Sequence, residues 1–149
     1  MPLSIVAITV DATYDLRRRL LRTGTPSTDP SFPGDDAPGV RHYGALDDNT
    51  SALVGVVTSM PKATPWRDGA VAVQLRGMAV EPDRQGQGIG RALLDALVTD
   101  ARHAGASVVW ANARVSALTF YTAAGMVAVG EVFVPTETAL AHRLVLLDL

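Results

Sequence analysis

The stretch from Gln74 to Leu97 constrains the fold of this chain more than any other, and it reads QLRGMAVEPDRQGQGIGRALLDAL. An apolar run leads into Glu81-Pro82-Asp83, then a loop with glycines at positions 86, 88 and 90, and then an amphipathic helix. Glycine has no Cβ, so such a loop can approach a ligand closely and adopt positive φ. The first amides of a helix lack partners within it and, with the helix dipole, attract anions such as phosphate. The stretch therefore predicts a strand, a tight loop and a helix around an anion site.

Three anion-binding motifs use a glycine-rich loop of this kind, and two of them do not fit. A P-loop needs G-x-x-x-x-G-K-[ST], but the chain has no Gly-Lys pair. A dinucleotide fingerprint needs G-x-G-x-x-G, and its last glycine would fall on Arg91 or Leu93. The third motif, Q/R-x-x-G-x-G/A, is met by Gln85 to Gly90. A glycine-rich helix start without any ligand is the alternative at this point.

Composition limits the class of protein. The chain has 149 residues with 48% hydrophobic and 19% charged residues, which predicts one folded domain over residues 1–149. Its net charge of -2 offers no broad basic field for nucleic acid. There is no cysteine, and the three histidines lack a metal-ligand spacing, so no metal site is expected. Neither a membrane span nor a signal peptide is recognisable, so we expect a cytoplasmic protein.

The apolar patterns along the chain predict the order β-α-β-β-β-α-β-α-β-β. This order indicates an α/β (α+β) domain in which helices cover a mixed sheet. The predicted strands cover residues 3–10, 40–46, 52–60, 70–80, 107–112, 126–134 and 141–147, and the helices follow Asp11, Gly88 and Arg114. Ile89, Leu93 and Leu97 recur every four residues, which is typical of a helix face turned to the core.

Three local features of the first half bear on a binding site. Arg17, Arg18 and Arg19 are expected on a solvated helix face. Residues 25–39 form an unusually long loop rich in Pro, Gly, Ser and Asp, which we expect to shape a cleft, and Phe32 within it needs apolar cover. In the longest strand, alternation places Gln74, Arg76 and Met78 on one face, and Gly77 predicts a bulge or a close approach by a ligand.

A second motif makes a family resemblance specific. The loop Gln85–Gly90 resembles the pyrophosphate-binding loop of the GNAT superfamily, the Gcn5-related N-acetyltransferases. The segment from Ala117 to Met126, ALTFYTAAGM, is similar to the family's A-x-x-F-Y-x-x-x-G-F, with methionine in place of the last phenylalanine. The two motifs stand in the family's order, and the resemblance covers essentially the whole chain. It implies a mostly antiparallel sheet of six to seven strands flanked by three to four helices.

The resemblance also implies acetyl transfer from acetyl-coenzyme A to a primary amine of a small molecule or peptide by direct attack. Amides of the loop would hold the pyrophosphate, and the backbone of Met78, Ala79 and Val80 would pair with the pantetheine arm like an added strand. The loop residues concerned are Gln85, Gly86, Gln87, Gly88, Ile89 and Gly90. Arg84 and Arg91 could add positive charge near the phosphates.

The family motif points to Tyr121 as the general acid, because a phenol stays protonated at neutral pH and can donate to a leaving thiolate. The resemblance also implies that Tyr121 contacts the cofactor. The general base is open: Glu81 is close in sequence, His142 carries an imidazole, which commonly serves as a base, and a chain of waters is a third route.

Arg76, Asn112 and Arg114 are polar residues at strand positions near the middle of the sheet, so each needs a partner. Internal hydrogen bonds would satisfy them, and so would a carboxylate of the substrate. Many family members carry asparagine three residues before the motif alanine, where this chain has Arg114, which could meet a cofactor phosphate or an acidic substrate group.

A non-catalytic module that binds coenzyme A as a sensor or partner domain is the alternative function, and a purely structural domain is the third. The protein would act as a monomer or homodimer, without nucleic-acid or membrane partners.

Overall fold

The computed structural model describes residues 2–149, and in them the elements follow the predicted order. The elements are β1 (Leu3–Ile8), α1 (Val10–Leu16) continued by π-helical turns (Arg17–Arg22), β2 (Arg41–Asp47), β3 (Leu53–Pro61), β4 (Ala72–Val80), a 3-10 turn (Pro82–Arg84), α2 (Ile89–His103), β5 (Val108–Arg114), a 3-10 turn (Val115–Ala117), α3 (Leu118–Ala123), β6 (Val127–Phe133) and β7 (His142–Asp148).

The seven strands form one sheet in the order β1-β2-β3-β4-β5-β7-β6. Every neighbouring pair is antiparallel except β4 and β5, which are parallel and joined by α2. A parallel pair needs such a crossover because a tight turn can only reverse the chain. The mostly antiparallel seven-stranded sheet with three α-helices confirms the predicted fold class.

Helix α2 covers one face of the sheet with the predicted apolar stripe. Its buried residues are Ile89, Leu93, Leu94, Leu97, Val98 and Ala101. They join a core that includes Val73 and Leu75 of β4, Val109 of β5 and Val145 of β7. The opposite face is covered near β3 and β4 by α1, where Leu16 packs with Val56 and Ala79. The sheet therefore has one apolar face under α2 and a second face that is covered only in part.

Gly77 marks a β-bulge, as the sequence predicted, and the bulge corrects the predicted faces of β4. Val56 pairs with Ala79 and Thr58 with Arg76, so Val57 alone faces two residues of β4. An extra residue reverses the alternation of side chains beyond it. Met78 therefore packs into the core under α2, and Ala79 packs on the α1 side. The prediction that Met78 shares a face with Gln74 and Arg76 is wrong for this reason.

The start of α1 also differs from the prediction. β1 ends at Ile8, and the extended Thr9 (φ -77°, ψ 161°) is the N-cap, so Asp11 lies in the first turn rather than at the cap. Val10, whose branched side chain suggested a strand, begins the helix. In the first turn the Asp11 carboxylate lies near the positive end of the helix dipole, a favourable place for it.

Arg17 is the clearest departure from the expected solvated arginines, because its side chain is fully buried. Its guanidinium forms an ion pair with Asp35 at 2.9 Å and also donates to the Thr58 hydroxyl at 2.8 Å. A charge buried without such partners would be prohibitively costly. Arg17 therefore anchors the loop of residues 25–39 to the sheet.

Candidate active site

The candidate site lies where β4 and β5 separate. The two strands pair only through Ala72–Gln74 and Val108–Trp110, although β4 continues to Val80 and β5 to Arg114. The other edge of β5 is paired along its whole length with β7, and β4 remains paired with β3. The facing edges beyond Gln74 and Trp110 therefore diverge around a cleft of about 420 Å³.

Six residues predicted for the site line this cleft: Arg76, Met78, Asn112, Arg114, Tyr121 and His142. They come from four elements far apart in sequence, namely β4, β5, α3 and β7. The loop of residues 25–39 contributes Phe32 and Pro33 to the same lining, which confirms that this loop shapes the cleft. The predicted polar residues of β4 and β5 therefore share one cavity with Tyr121 and His142. The other predicted site residues are outside its lining, namely Ala79, Val80, Glu81 and the loop residues 85–91.

Glu81 does not line the cleft. Its carboxylate forms an ion pair with Arg19 of the π-helical turns, and its backbone N–H donates to the Val54 carbonyl at 2.9 Å. The side chain thus joins the end of β4 to the helical segment after α1.

The glycine loop has the conformation that its glycines predict. Gly86 (φ 79°) and Gly88 (φ 82°) adopt left-handed backbone, and a Cβ at either position would meet no atom within 4 Å. Gly88 is the N-cap of α2, which no side chain caps. The first helical bond runs from the Ala92 N–H to the Gly88 carbonyl at 3.0 Å, so the amides of Gly88 to Arg91 precede it. The loop thus leaves room for an anion beside unpaired N–H groups.

Gly90 matters for packing rather than for its backbone angles, because its φ is not positive. A Cβ there would lie 3.2 Å from the ring of Phe120 on α3. The third glycine of the motif therefore lets α2 and α3 approach closely. This contact also places α3, and with it Tyr121, against the start of α2.

The polar side chains around the loop already have protein partners. Arg84 forms an ion pair with Asp47 at 2.7 Å, and Arg91 pairs with Asp95 one turn along α2 at 2.9 Å. The Gln85 amide donates to the Val80 carbonyl at 3.4 Å. Contact between either arginine and a phosphate would therefore compete with an existing ion pair.

Tyr121 is buried on α3, with 7% of its surface exposed, and lines the cleft. Its ring packs edge-to-face on Phe120 with centroids 5.0 Å apart. Among residues 2–149 its hydroxyl has no hydrogen-bond partner. Burial raises the pKa of Tyr121 to about 12. The hydroxyl is therefore protonated at neutral pH.

His142 begins β7 and is buried, with its ring stacked on Phe133 at 5.8 Å. Its Nδ1 lies 2.7 Å from the Leu140 carbonyl oxygen. Because a carbonyl can only accept, Nδ1 carries the proton and Nε2 is left as an acceptor in the neutral ring. A nitrogen in this state can take up a proton.

Sequence reasoning missed Arg22, Phe32 and Gln74 as lining residues. Arg22 lies in the last turn of the predicted first helix, which ends at Gly24, and no apolar repeat marks it. Phe32 lies in an irregular loop, where the isolated aromatic ring indicated only that it needed cover. Phe32 finds that cover among arginines: the Cζ atoms of Arg17, Arg22 and Arg76 lie 3.9, 5.1 and 4.9 Å from its ring centroid. Such cation–π contacts fix the ring at the edge of the cleft.

Comparison with known proteins agrees with this architecture. Residues 10–126 match the model of the acetyltransferase (GNAT) family. The uncharacterized N-acetyltransferase YitI of Bacillus subtilis (strain 168) is 30% identical over 131 residues, which are 88% of this chain and 87% of that protein. Within residues 2–149, no helix has both the length and the apolar character that crossing a membrane requires.

Solved structures share the fold. A GNAT-family acetyltransferase of Staphylococcus aureus Mu50 superposes with a TM-score of 0.74 at 15% identity and 99% coverage of both chains. An acyl-CoA N-acyltransferase of Pseudomonas aeruginosa gives 0.75 at 18% identity, covering 97% of this chain and 99% of the other. An aminoglycoside 6'-N-acetyltransferase complexed with coenzyme A gives 0.71 at 16% identity, covering 99% and 97%. By its family match and its relative, this chain belongs to the GNAT family of acetyltransferases.

Proposed function

We propose that the protein transfers an acetyl group from acetyl-coenzyme A to the primary amine of a small molecule or peptide. The observation that carries this proposal is the Tyr121 hydroxyl, which lines the cleft without a protein partner beside the unpaired edge of β4. Membership of the GNAT family supports the reaction class.

The cleft and the loop fit the shape of the proposed donor. The unpaired edge of β4 beyond Gln74 offers the backbone of Met78, Ala79 and Val80 to a pantetheine arm. The amides from Gly86 to Arg91, next to the open space at Gly86 and Gly88, suit a pyrophosphate, whereas the Gln85 N–H donates to the Pro82 carbonyl at 3.4 Å. The arm would thus run from the start of α2 along β4 into the cleft.

The reaction needs two proton transfers that residues of the cleft can perform. The amine nitrogen forms a bond to the thioester carbonyl carbon, and the bond from that carbon to sulfur breaks. We assign the proton leaving the nitrogen to Nε2 of His142, and the proton gained by the thiolate sulfur to the Tyr121 hydroxyl. The products are an N-acetyl amine and the free thiol. His142 is left as imidazolium and Tyr121 as phenolate, and transfer of one proton from the imidazolium to the phenolate through solvent restores both groups and closes the balance. Glu81 is not proposed as the base, because its carboxylate lies outside the cleft lining and is bound by Arg19.

Arg114 is assigned to the acceptor rather than to a cofactor phosphate. Its guanidinium donates to the Leu21 carbonyl at 2.6 Å. Leu21 belongs to the π-helical turns, which lie on the opposite side of the sheet from α2. Arg76 and Asn112 lie in the same part of the cleft lining. The side of the cleft next to α2 is therefore left for acetyl-coenzyme A, and the side next to α1 is left for the amine.

Calorimetric titration of the purified protein with acetyl-coenzyme A tests the proposal, with NAD and ATP as control ligands. We expect saturable binding of the acyl thioester alone, followed by release of free thiol when a panel of amines is added. Failure to bind acetyl-coenzyme A would overturn the transferase proposal. Binding without thiol release from any amine would favour a coenzyme A-binding module instead.

A further inference from the structure

Three arginines line the acceptor side of the cleft, each on a different element. Arg22 lies in the π-helical turns, Arg76 on β4 and Arg114 at the end of β5. Two of them contact the same ring: the Cζ atoms of Arg22 and Arg76 lie 5.1 and 4.9 Å from the ring centroid of Phe32. The three arginines thus reach one cavity from three separate elements.

These arginines are held by neutral partners. Each donates one hydrogen bond to a backbone carbonyl: Arg22 to Asp29 at 3.0 Å, Arg76 to Pro33 at 3.0 Å and Arg114 to Leu21 at 2.6 Å. By contrast, six other arginines of the described chain have a carboxylate within 4.0 Å, namely Arg17, Arg19, Arg41, Arg67, Arg84 and Arg91. A guanidinium has five N–H donors, so each cleft arginine is fixed in place with most of its donors unused.

The positive charge of these three arginines is compensated only in part within the cleft. Among the lining residues described, Glu137 alone carries a carboxylate. Asp35 lies nearby, but both of its oxygens bind Arg17, at 2.9 and 3.2 Å. Burial, and after it the charge of Arg22, lowers the pKa of Arg114. Three half-buried cations that repel one another would be relieved by an anion between them.

Gln74 adds an unsatisfied acceptor to the same lining. It lies at the last paired position of β4 with β5, and only 5% of its surface is exposed. Its Oε1 atom is buried and has no hydrogen-bond partner among the described residues. Buried polar atoms are rarely left without a partner, so Oε1 is an acceptor that an N–H group could satisfy once the Gln74 side chain turns this atom into the cleft. The cleft thus offers an acceptor for an amine and three guanidinium groups for an anion.

We propose that the acceptor of this enzyme carries an anionic oxygen group, such as a carboxylate, beside its amine, and that Arg22, Arg76 and Arg114 bind this group. The amine would donate to Gln74 Oε1 while it approaches the thioester. The substrate class is therefore small amino acids or short peptides with a nearby carboxylate, or aminoalkyl phosphates of similar size. This inference rests on the proposed acetyl transfer, because it assigns the second half of the same cleft.

Matched acceptors test the proposal directly. Thiol release is measured with free amino acids, with their carboxamides and with the corresponding decarboxylated amines, and aminoalkylphosphonates form a fourth arm. We expect the carboxylates or the phosphonates to exceed the neutral carboxamides in kcat/KM by about 10- to 100-fold, as expected for charge-assisted hydrogen bonds. The better of these two arms identifies the anion. Equal or better turnover of the carboxamides would overturn the inference while leaving acetyl transfer intact.

Replacement of the arginines locates the effect. Arg76→Gln and Arg114→Gln remove one charge each from separate strands, so one remains informative if the other fails to fold. Each should lower kcat/KM for the anionic acceptor about 10-fold or more, and by a larger factor than kcat/KM for the carboxamide. Arg18→Gln is the control, because Arg18 is exposed on the same π-helical turns as Arg22 and lies outside the cleft lining. Equal losses for both acceptors would contradict the assignment.

Direct titration separates this inference from the proposed reaction. The same amino acids and carboxamides are titrated into the protein saturated with coenzyme A, without any turnover. Tighter binding of the anionic member supports the arginine site even if no acetyl transfer occurs. Binding that ignores the carboxylate overturns it whatever the turnover experiments give.

Discussion

At the scale of single residues, burial sets the protonation state of Tyr121. A hydroxyl with a pKa of about 12 keeps its proton throughout the neutral range, so it can donate but not accept a proton there. Tyr121→Phe should lower kcat by about 100-fold or more, in the range found for general acids, because only the donated proton is removed. The affinity for acetyl-coenzyme A should stay nearly constant, and calorimetry and initial rates measure the two quantities.

Tyr14→Phe is the matched control for that experiment, since Tyr14 lies on α1 outside the cleft lining. It should retain wild-type turnover. A Tyr121→Phe enzyme with unchanged kcat would exclude Tyr121 as the acid.

Burial of Tyr121 also makes stability depend on pH. Because folding raises the pKa of Tyr121, its contribution to the free energy of unfolding is complete below about pH 10 and is lost as the pH rises towards about 12.

At the scale of elements, the loop of residues 25–39 depends on one buried ion pair. Burial by itself would raise the pKa of Asp35, but the hydrogen bonds from Arg17 and from the Phe32 N–H bring it below its usual value. His42 supports the same cluster through the Thr58 hydroxyl at 2.7 Å and the Asp35 carbonyl at 3.2 Å. The side of the cleft that we propose for the acceptor therefore rests on this buried polar network.

Asp35→Asn should reduce the free energy of unfolding by about 3 to 5 kcal/mol at neutral pH, because it leaves the buried charge of Arg17 without its partner. Since folding lowers the pKa of Asp35, its contribution exists above the pKa of the unfolded chain, about 3.9, and disappears as the pH falls through the lower native value. The difference between wild type and variant should therefore shrink below about pH 4.

Urea denaturation from pH 2 to pH 7 measures this difference, with Asp36→Asn as the control because Asp36 is exposed next to Asp35. The control should change stability by less than about 0.5 kcal/mol, as is usual at the surface. A pH-independent loss in Asp35→Asn would show that the ion pair is not the cause.

At the scale of the whole molecule, the sheet consists of two parts that meet at only three registered pairs between β4 and β5. One part contains β1 to β4, and the other contains β5, β7 and β6. The proposed donor would lie along both parts, from the start of α2 into the cleft. Its binding energy should therefore appear as stability of the folded chain.

Thermal unfolding with increasing acetyl-coenzyme A checks this expectation. A ligand at 100 times its Kd should stabilise the fold by about 2.7 kcal/mol, provided that it binds only the folded state. The Tm should keep rising with ligand concentration beyond saturation of the site, since this is a mass-action effect. NAD at the same concentration serves as the control, and an unchanged Tm with acetyl-coenzyme A would contradict a site between the two parts.

The sequence by itself determined the elements and the position of the anion loop. The four-residue repeat of α2, the β-branched strands and the glycines at 86 and 88 are local signals, because periodicity and backbone angles depend on near neighbours in the chain. For the same reason α2 begins at Ile89, directly after Gly88, as predicted. The motif around Tyr121 likewise predicted a residue that the structure places in the cleft.

Only the tertiary structure decided which side chains share the cleft. The bulge at Gly77 places Met78 on the other face of β4. Arg17 is buried because it forms an ion pair with Asp35, and the Glu81 carboxylate pairs with Arg19 outside the cleft. Arg22, Gln74 and Arg114 line the same cleft although they are 40 or more residues apart in the chain, and no local sequence pattern predicts this. Charge pairing and side-chain direction are long-range properties, so the chemistry of the acceptor side became visible only in the folded molecule.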